Sequence, residues 1–361
     1  MYHQVLPAWV EQKYRLKKTS THILSKTGYP NGKLVGKVTY MKEDKKNGDM
    51  TLEEAKTLNG RRTDLALEVR ESFPEDDVEI KGVILTKEEV EDKDILVTTV
   101  EIQDEQGEKA MGKPMGTYIT IEAPHLNEED ESYYRPLSKE IAKYVKKLAG
   151  GLDGKSVLIV GLGNREVTPD ALGPQVVDNL FVTRHLIREF GEEFKEKHNM
   201  ETVSAISPGV MGQTGMESGE ILAGIIAETK PDLVIAIDAL AARSVERLNK
   251  TVQITNTGIN PGAGVGNNRK ALNKESLGVD VVALGVPTVV DALTIVSDHL
   301  ENCLSKQGFS EKEIAMFIQE TNDAAMRSMF VTPKSIDESI KQISYTISEA
   351  LNQCFCGSLV S

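Results

Sequence analysis

SVLIVGLGNREVTPDALGP, residues 156–174, is the stretch from which the fold can be read. Val157–Val160 is a short, unbroken apolar run, the pattern of a strand buried on both faces. Gly161-Leu162-Gly163-Asn164 turns the chain directly after it. Working outward, Thr202–Ile206, Leu233–Ile237, Thr251–Ile254 and Val281–Leu284 read as further strands. Helical spacing falls between or after them over Pro174–Phe190, Ser218–Glu228, Val289–Leu304, Glu311–Glu320 and Ile336–Leu351. Such alternation predicts an α/β fold with a doubly wound, mainly parallel sheet flanked by helices. Upstream, Ile80–Thr86, Ile95–Ile102 and Tyr118–Glu122 alternate and are rich in β-branched residues. They predict a small N-terminal antiparallel β extension. Asn127–Tyr133 reads as an acidic loop, Ser138–Leu148 as a helix with its lysines outward and Thr51–Leu58 as a short helix. The expected division is a basic leader over 1–64, removed or partly ordered, and a main domain over 65–361. Within the latter, 80–125 is the β extension and 151–361 the α/β core.

Composition narrows the class. The chain has 361 residues, 40% of them hydrophobic and 27% charged, enough for a sizeable core. Its net charge of −13 disfavours a direct nucleic-acid partner. Residues 1–60 hold 11 Lys/Arg against 6 Asp/Glu, so a basic leader precedes an acidic body. On charge alone that leader reads as a solvated tail. The longest apolar runs fall short of the roughly 20 residues a bilayer crossing needs, so no membrane partner is expected. The opening residues lack the basic–apolar–small pattern of a signal peptide. Cys303, Cys354 and Cys356 cannot all pair within one chain, and no CxxC spacing occurs. That usage points to a reducing cytoplasm.

Three segments could carry chemistry. Gly161 and Gly163 permit a tight turn and close backbone approach, with Asn164 beside them. A dinucleotide fingerprint would need a third glycine where Glu166 stands, so a nucleotide-binding reading is disfavoured. Asp170 ends this loop just before a helix, where the ordinary role of an aspartate is capping. Asp238 follows the apolar run Leu233–Ile237, and an unpaired carboxylate there is costly unless it meets a crevice, a partner or a proton. Ligands of open α/β sheets gather beyond the carboxyl ends of the strands, which could bring Asp170 and Asp238 into one cleft. Two carboxylates sharing a site split their proton affinities, and the pair can then activate water. The third segment, Thr255–Arg269, contains Gly262, Gly264 and Gly266, whose amides could face a substrate carbonyl or an anion. It lacks a P-loop ending, and no GxSxG elbow or HExxH helix exists.

Taken together, these motifs resemble the spore germination protease family. The resemblance is carried by Gly161–Asn164 with Val167–Pro174, Ser207–Gly215, Ile235–Arg243, Thr257–Arg269 and Gly285–Ala292, in order, over roughly residue 60 to the C-terminus. The family is similar in fold to hydrogenase maturation proteases. The resemblance implies an aspartic-type endopeptidase of unusual fold, a homotetramer made as a zymogen in the forespore or spore cytoplasm. Its substrates would be small acid-soluble DNA-protecting spore proteins, degraded as germination begins. It places the catalytic carboxylates at Asp170 and Asp238, with no cofactor. Family substrates are cut after the acidic residue in a Thr/Ser-Glu-Phe/Ile-Ala context. Thr63-Asp64-Leu65-Ala66 imitates that context, so self-processing is expected between Asp64 and Leu65.

Two departures bear on the chemistry. The leader before Arg62 is longer than the short propeptide the resemblance implies. Asn260 stands before Pro261 where family members often carry histidine, and the hydrogenase proteases use carboxylates plus a histidine to hold a metal. Its absence favours a metal-free pair. A metal-dependent peptidase using Asp170 and Asp238, and a non-enzymatic nucleotide-binding protein, remain the alternatives.

Overall fold

A computed structural model describes residues 63–71, 80–90, 93–262, 269–320, 326 and 329–356. Leader residues 1–62, with the expected Thr51–Leu58 helix, and Gly264 and Gly266 lie outside them. Among the described residues, nine strands form one mixed sheet. They are β1 (Val83–Val90), β2 (Ile95–Ile102), β3 (Gly116–Glu122), β4 (Ser156–Gly161), β5 (Thr202–Ile206), β6 (Leu233–Ala242), β7 (Thr251–Thr255), β8 (Asp280–Asp291) and β9 (Phe330–Val331). The order is β1-β2-β3-β7-β8-β6-β4-β5, with β9 on β8. Strands β8, β6, β4 and β5 are mutually parallel, while β1, β2 and β3 pair antiparallel as expected. Strand β7 runs antiparallel to both β3 and β8, and so welds the extension to the core.

Alternation along each strand sorts side chains onto two faces. One face buries Val157, Ile159, Ile235, Ile237, Val252, Ile254 and Leu284 in a single apolar cluster that includes Leu137, Ile141, Leu172, Val176, Ile343 and Ile347. Those partners come from the helices Glu131–Leu148, Leu172–Asp178 and Ile336–Phe355. On the opposite face, Leu158, Val160, Val234 and Ala236 meet Leu222 of the helix Ser218–Thr229. Farther along, Val100, Ile102 and Tyr118 meet Ala66 and Met111 from the helices Ala66–Glu71 and Glu105–Met111. The sheet is thus covered on both sides, with a gap on the second face between these two helical groups.

Three expected boundaries shift for identifiable reasons. The helix expected over Pro174–Phe190 is two, Leu172–Asp178 and Arg184–Phe190. Between them Asn352 accepts from the Phe181 N–H at 2.9 Å and donates to the Asn179 carbonyl at 3.2 Å. Thr183 N–H donates to Val203 O at 3.1 Å, so backbone groups a continuous helix would have paired are taken by neighbours. The helix Glu131–Leu148 begins inside the expected acidic loop, because Asp130 caps it at the Ser132 N–H. Strands β6 and β8 outrun their apolar cores. They stay paired from Leu233↔Asp280 to Ala242↔Val290, with a register shift after Leu240. Asp238 therefore lies inside a ten-residue strand rather than at its end. What ends at its level is the neighbour, since Gly161 of β4 pairs with Ile237.

Candidate active site

A row of side chains crosses the second face of the sheet. Thr98 pairs with Thr120, Thr120 with Gln253, Gln253 with Gly285, and Gly285 with Asp238. Directly paired residues point to the same face, so Gln253 and Asp238 flank Gly285 two strands apart, roughly 10 Å between Cα atoms. This row underlies the gap between the helical groups. The gap holds two hollows of about 490 and 300 Å³ that share Asp64, Asp238, Ala239, Leu240 and Gly262 among their walls.

Asp170 and Asp238 both line the smaller hollow. Asp170 ends the 3-10 turn Thr168–Asp170, and its Oδ2 accepts the Asn164 N–H at 2.8 Å. It caps no side-chain bond at the following helix. The Thr288 hydroxyl of β8 donates to Pro169 O at 2.7 Å, tying the loop to the sheet. Gly163 makes this fold-back possible. Its φ is +110°, and a Cβ there would lie 2.0 Å from the Asp170 carbonyl oxygen. Gly163→Ala is expected to cost about 1–3 kcal/mol of stability and to displace Asp170. Urea denaturation alongside peptide cleavage would read both effects.

Asp238 is 5% exposed and follows the alternation of Val234 and Ala236. Its Oδ1 accepts the Ala239 N–H at 3.0 Å. Burial, then the charges of Asp170 and Asp64, push its carboxyl well above the usual carboxylate range; Arg269 opposes them. Burial also raises Asp170, against the Asn164 hydrogen bond and Arg269. The two carboxyls are therefore unequal, and Asp238 keeps its proton to higher pH.

Thr63-Asp64-Leu65 lies in this cleft and leads directly into the helix that begins at Ala66. Asp64 N–H donates to Ala241 O at 2.9 Å, and Ala241 N–H donates to Asp64 Oδ2 at 2.8 Å. Leu65 is fully buried with Leu240, Ala242, Leu248 and Val290. Ala66 packs with Val100, Ile102, Met111 and Tyr118, and its N–H donates to Gln253 Oε1 at 2.7 Å. The segment is latched by Glu68, whose carboxylate accepts the Thr63 hydroxyl and the N–H groups of Arg243 (2.7 Å) and Ser244 (2.9 Å).

Two residues the sequence reading passed over converge on the Asp64 carbonyl oxygen. Lys113 Nζ donates to it at 3.0 Å and Gln253 Nε2 at 3.1 Å. Gln253 could have been flagged as a polar residue inside an apolar strand, the signal that exposed Asp238. Lys113 sits in a turn after a short helix, and nothing in its neighbourhood marks it. Gly161 and Asn164 shape the Asp170 loop, and Gly262 lines both hollows. Among the described residues, no three His, Cys, Asp or Glu side chains gather as a metal would require. No helix among them is long and apolar enough to cross a membrane.

Comparison with known proteins places the chain in a family. The family model described as germination protease matches residues 61–316. A germination protease of Caldanaerobacter subterraneus subsp. tengcongensis is 48% identical over 312 residues, covering 81% of this chain and 93% of that protein. That of Clostridium tetani is 43% identical over 309 residues, covering 81% and 94%. That of Bacillus cereus is 49% identical over 257 residues, covering 70% and 69%. A solved [NiFe] hydrogenase maturation protease, HycI of Thermococcus kodakarensis, aligns over 57% of this chain and 99% of its own at 21% identity and a TM-score of 0.30. The α/β assignment stands on the strand order rather than on that likeness. With a matching model over most of its length and relatives of this identity, the chain belongs to the germination protease family and is a peptidase.

Proposed function

We propose that this peptidase begins the breakdown of small acid-soluble, DNA-protecting spore proteins at germination. It would be made as a zymogen that cuts itself between Asp64 and Leu65 with a carboxylate pair. One observation carries the reading: Thr63-Asp64-Leu65-Ala66, the imitation of a family cleavage context, is seated in the cleft lined by Asp170 and Asp238. Each residue has its own contacts there. The acidic side chain meets a backbone N–H, the large apolar side chain fills an apolar cluster, and the alanine is enclosed. A segment so placed also obstructs other peptides, which is what a zymogen needs.

Asp170 acts as base and the protonated Asp238 as acid, in keeping with their unequal burial. Asp170 takes a proton from water as the water oxygen bonds to the Asp64 carbonyl carbon. The carbonyl oxygen becomes an oxyanion. The bond to the Leu65 nitrogen then breaks as Asp238 gives that nitrogen its proton. The products are a new carboxyl group on Asp64 and an amine on Leu65, the former passing its proton to the latter, and the proton held by Asp170 moves to Asp238 to restore the starting pair. The working enzyme would be a homotetramer in the spore cytoplasm.

The test is to incubate the purified full chain at mildly acidic pH and map new N-termini by mass spectrometry, with and without a chelator. A chain beginning at Leu65, formed equally in both arms, is expected. Cleavage only at other bonds would overturn the self-processing site, and loss of cleavage in the chelator arm would favour a metal-dependent peptidase.

A further inference from the structure

We propose that Lys113 and Gln253 form the oxyanion site of this peptidase, holding the carbonyl oxygen of the bond that is cut. The inference rests on the reading of Asp64–Leu65 as that bond. A backbone carbonyl oxygen has two lone pairs, and at Asp64 both are met by side chains, at 3.0 Å by Lys113 Nζ and at 3.1 Å by Gln253 Nε2. These are the distances at which donors stabilise charge developing on an acyl oxygen. The donors come from opposite sides. Lys113 lies in the turn after the helix Glu105–Met111, and Gln253 lies on β7 in register with Gly285 and, beyond it, Asp238. Over the glycine at the centre of that row lies the Leu240 side chain, which a Cβ on Gly285 would meet at 2.6 Å.

Neither donor is explained by packing alone. Lys113 is half-buried, and burial pulls its pKa below the usual lysine value against the charges of Asp64 and Glu68. A desolvated cation is costly where it only fastens a neutral carbonyl. It becomes favourable when that carbonyl acquires negative charge, because the low-dielectric setting strengthens the attraction. Gln253 is 7% exposed and divides its amide, Oε1 accepting the Ala66 N–H and Nε2 donating to Asp64 O. One side chain thus sets the register of the peptide and polarises the carbonyl. Gly262 is then a wall of the cleft rather than the source of these donors.

As water adds, the pair would share the charge that arrives on the Asp64 oxygen, and would release it when the carbon–nitrogen bond breaks. The test follows the first-order rate of appearance of the Leu65 N-terminus in full chains of wild type, Lys113→Met, Lys113→Arg, Gln253→Glu and Asp238→Asn. Hydrogen exchange over residues 65–71 is measured on each. Gln253→Glu keeps an acceptor for Ala66 N–H and exchanges the amide donor for a carboxyl oxygen, which carries a negative charge when ionised. Losing either donor is expected to slow cleavage by roughly 100-fold or more with exchange unchanged, and Lys113→Arg should recover much of the loss. Wild-type rates in Lys113→Met and Gln253→Glu would overturn the inference. So would slow cleavage accompanied by faster exchange, which would make the two residues fasteners of the segment. A wild type that never cuts at Asp64–Leu65 removes the parent reading and this one together. One that does, with Asp238→Asn inactive and Lys113→Met equal to wild type, removes this one alone.

Discussion

Asp170→Asn and Asp238→Asn are each expected to slow peptide cleavage by about 10²–10⁴-fold, the range that a positioned acid or base supplies. The amide keeps the shape of the carboxyl and most of its hydrogen bonds. Its oxygen could still accept the Asn164 N–H in the first variant and the Ala239 N–H in the second, so the loop and β6 should keep their paths. Because the two groups act as a unit on one bond cleavage, their losses should not add, and the double variant should be about as slow as the slower single one. Full activity in either single variant would remove that residue from the chemistry.

Asp238→Asn should also change stability in a way that inactivation alone would not. Burial holds the Asp238 carboxyl protonated at pH values where an unfolded chain, with its ordinary value of 3.8, has lost the proton. The folded state therefore binds more protons in that window. Its stability from this group is complete below the unfolded value and declines as pH rises through the folded one. Asparagine carries no such proton, so the decline should be absent in Asp238→Asn, which should exceed wild type in melting temperature at neutral pH. Melting curves from pH 4 to 8 would show two lines diverging as pH rises. Parallel lines would mean that Asp238 is ionised in the folded chain throughout.

The second large effect is expected from Arg247→Met, in stability rather than chemistry. Arg247 is the cation among Glu68 (3.5 Å), Glu71 (2.7 Å) and Glu122 (3.1 Å). Its side chain is 14% exposed and that of Glu68 2%, whereas Glu71 stands half in water and adds little. Methionine keeps much of the packing and removes the charge. Glu68 would then be a buried anion left with hydrogen bonds from Thr63, Arg243 and Ser244 and the more distant charge of Lys113. Removing one member of such a buried group costs about 3 kcal/mol or more. Since Glu68 latches the Thr63–Ala66 segment, the loss should be local first. Limited proteolysis should cut the variant near residues 63–71 before the rest of the domain, and self-cleavage should slow. Uniform destabilisation with the segment still protected would show that the latch does not depend on Arg247.

Much of the fold was legible because it follows from local chemistry. Thr202–Ile206, Ile95–Ile102 and Glu311–Glu320 fall where alternation and helical spacing put them. The strand-end glycines and Asp170 carried a signature specific enough to indicate the family. Other features were hidden because they depend on partners distant in the chain. The break after Asp178 is made by Asn352, and the antiparallel course of β7 is set by β3 and β8. The length of β6 comes from its pairing with β8, so a run that stops being apolar at Ile237 does not stop being a strand.

The candidate site divides in the same way. Sequence by itself determined the α/β class, the family, the two suspect carboxyls and the substrate-like character of Thr63–Ala66, since each is written in residue type and spacing. Only the tertiary structure decided that this segment and both carboxyls share one cleft, that Asp238 is the more buried of the pair, and that Lys113 and Gln253 meet on the Asp64 oxygen. The physical reason is reach. Periodicity and turn chemistry act over a few neighbours, whereas a shared hydrogen bond or a desolvated charge depends on groups such as Asp64 and Gln253, brought together by the packing of the whole sheet.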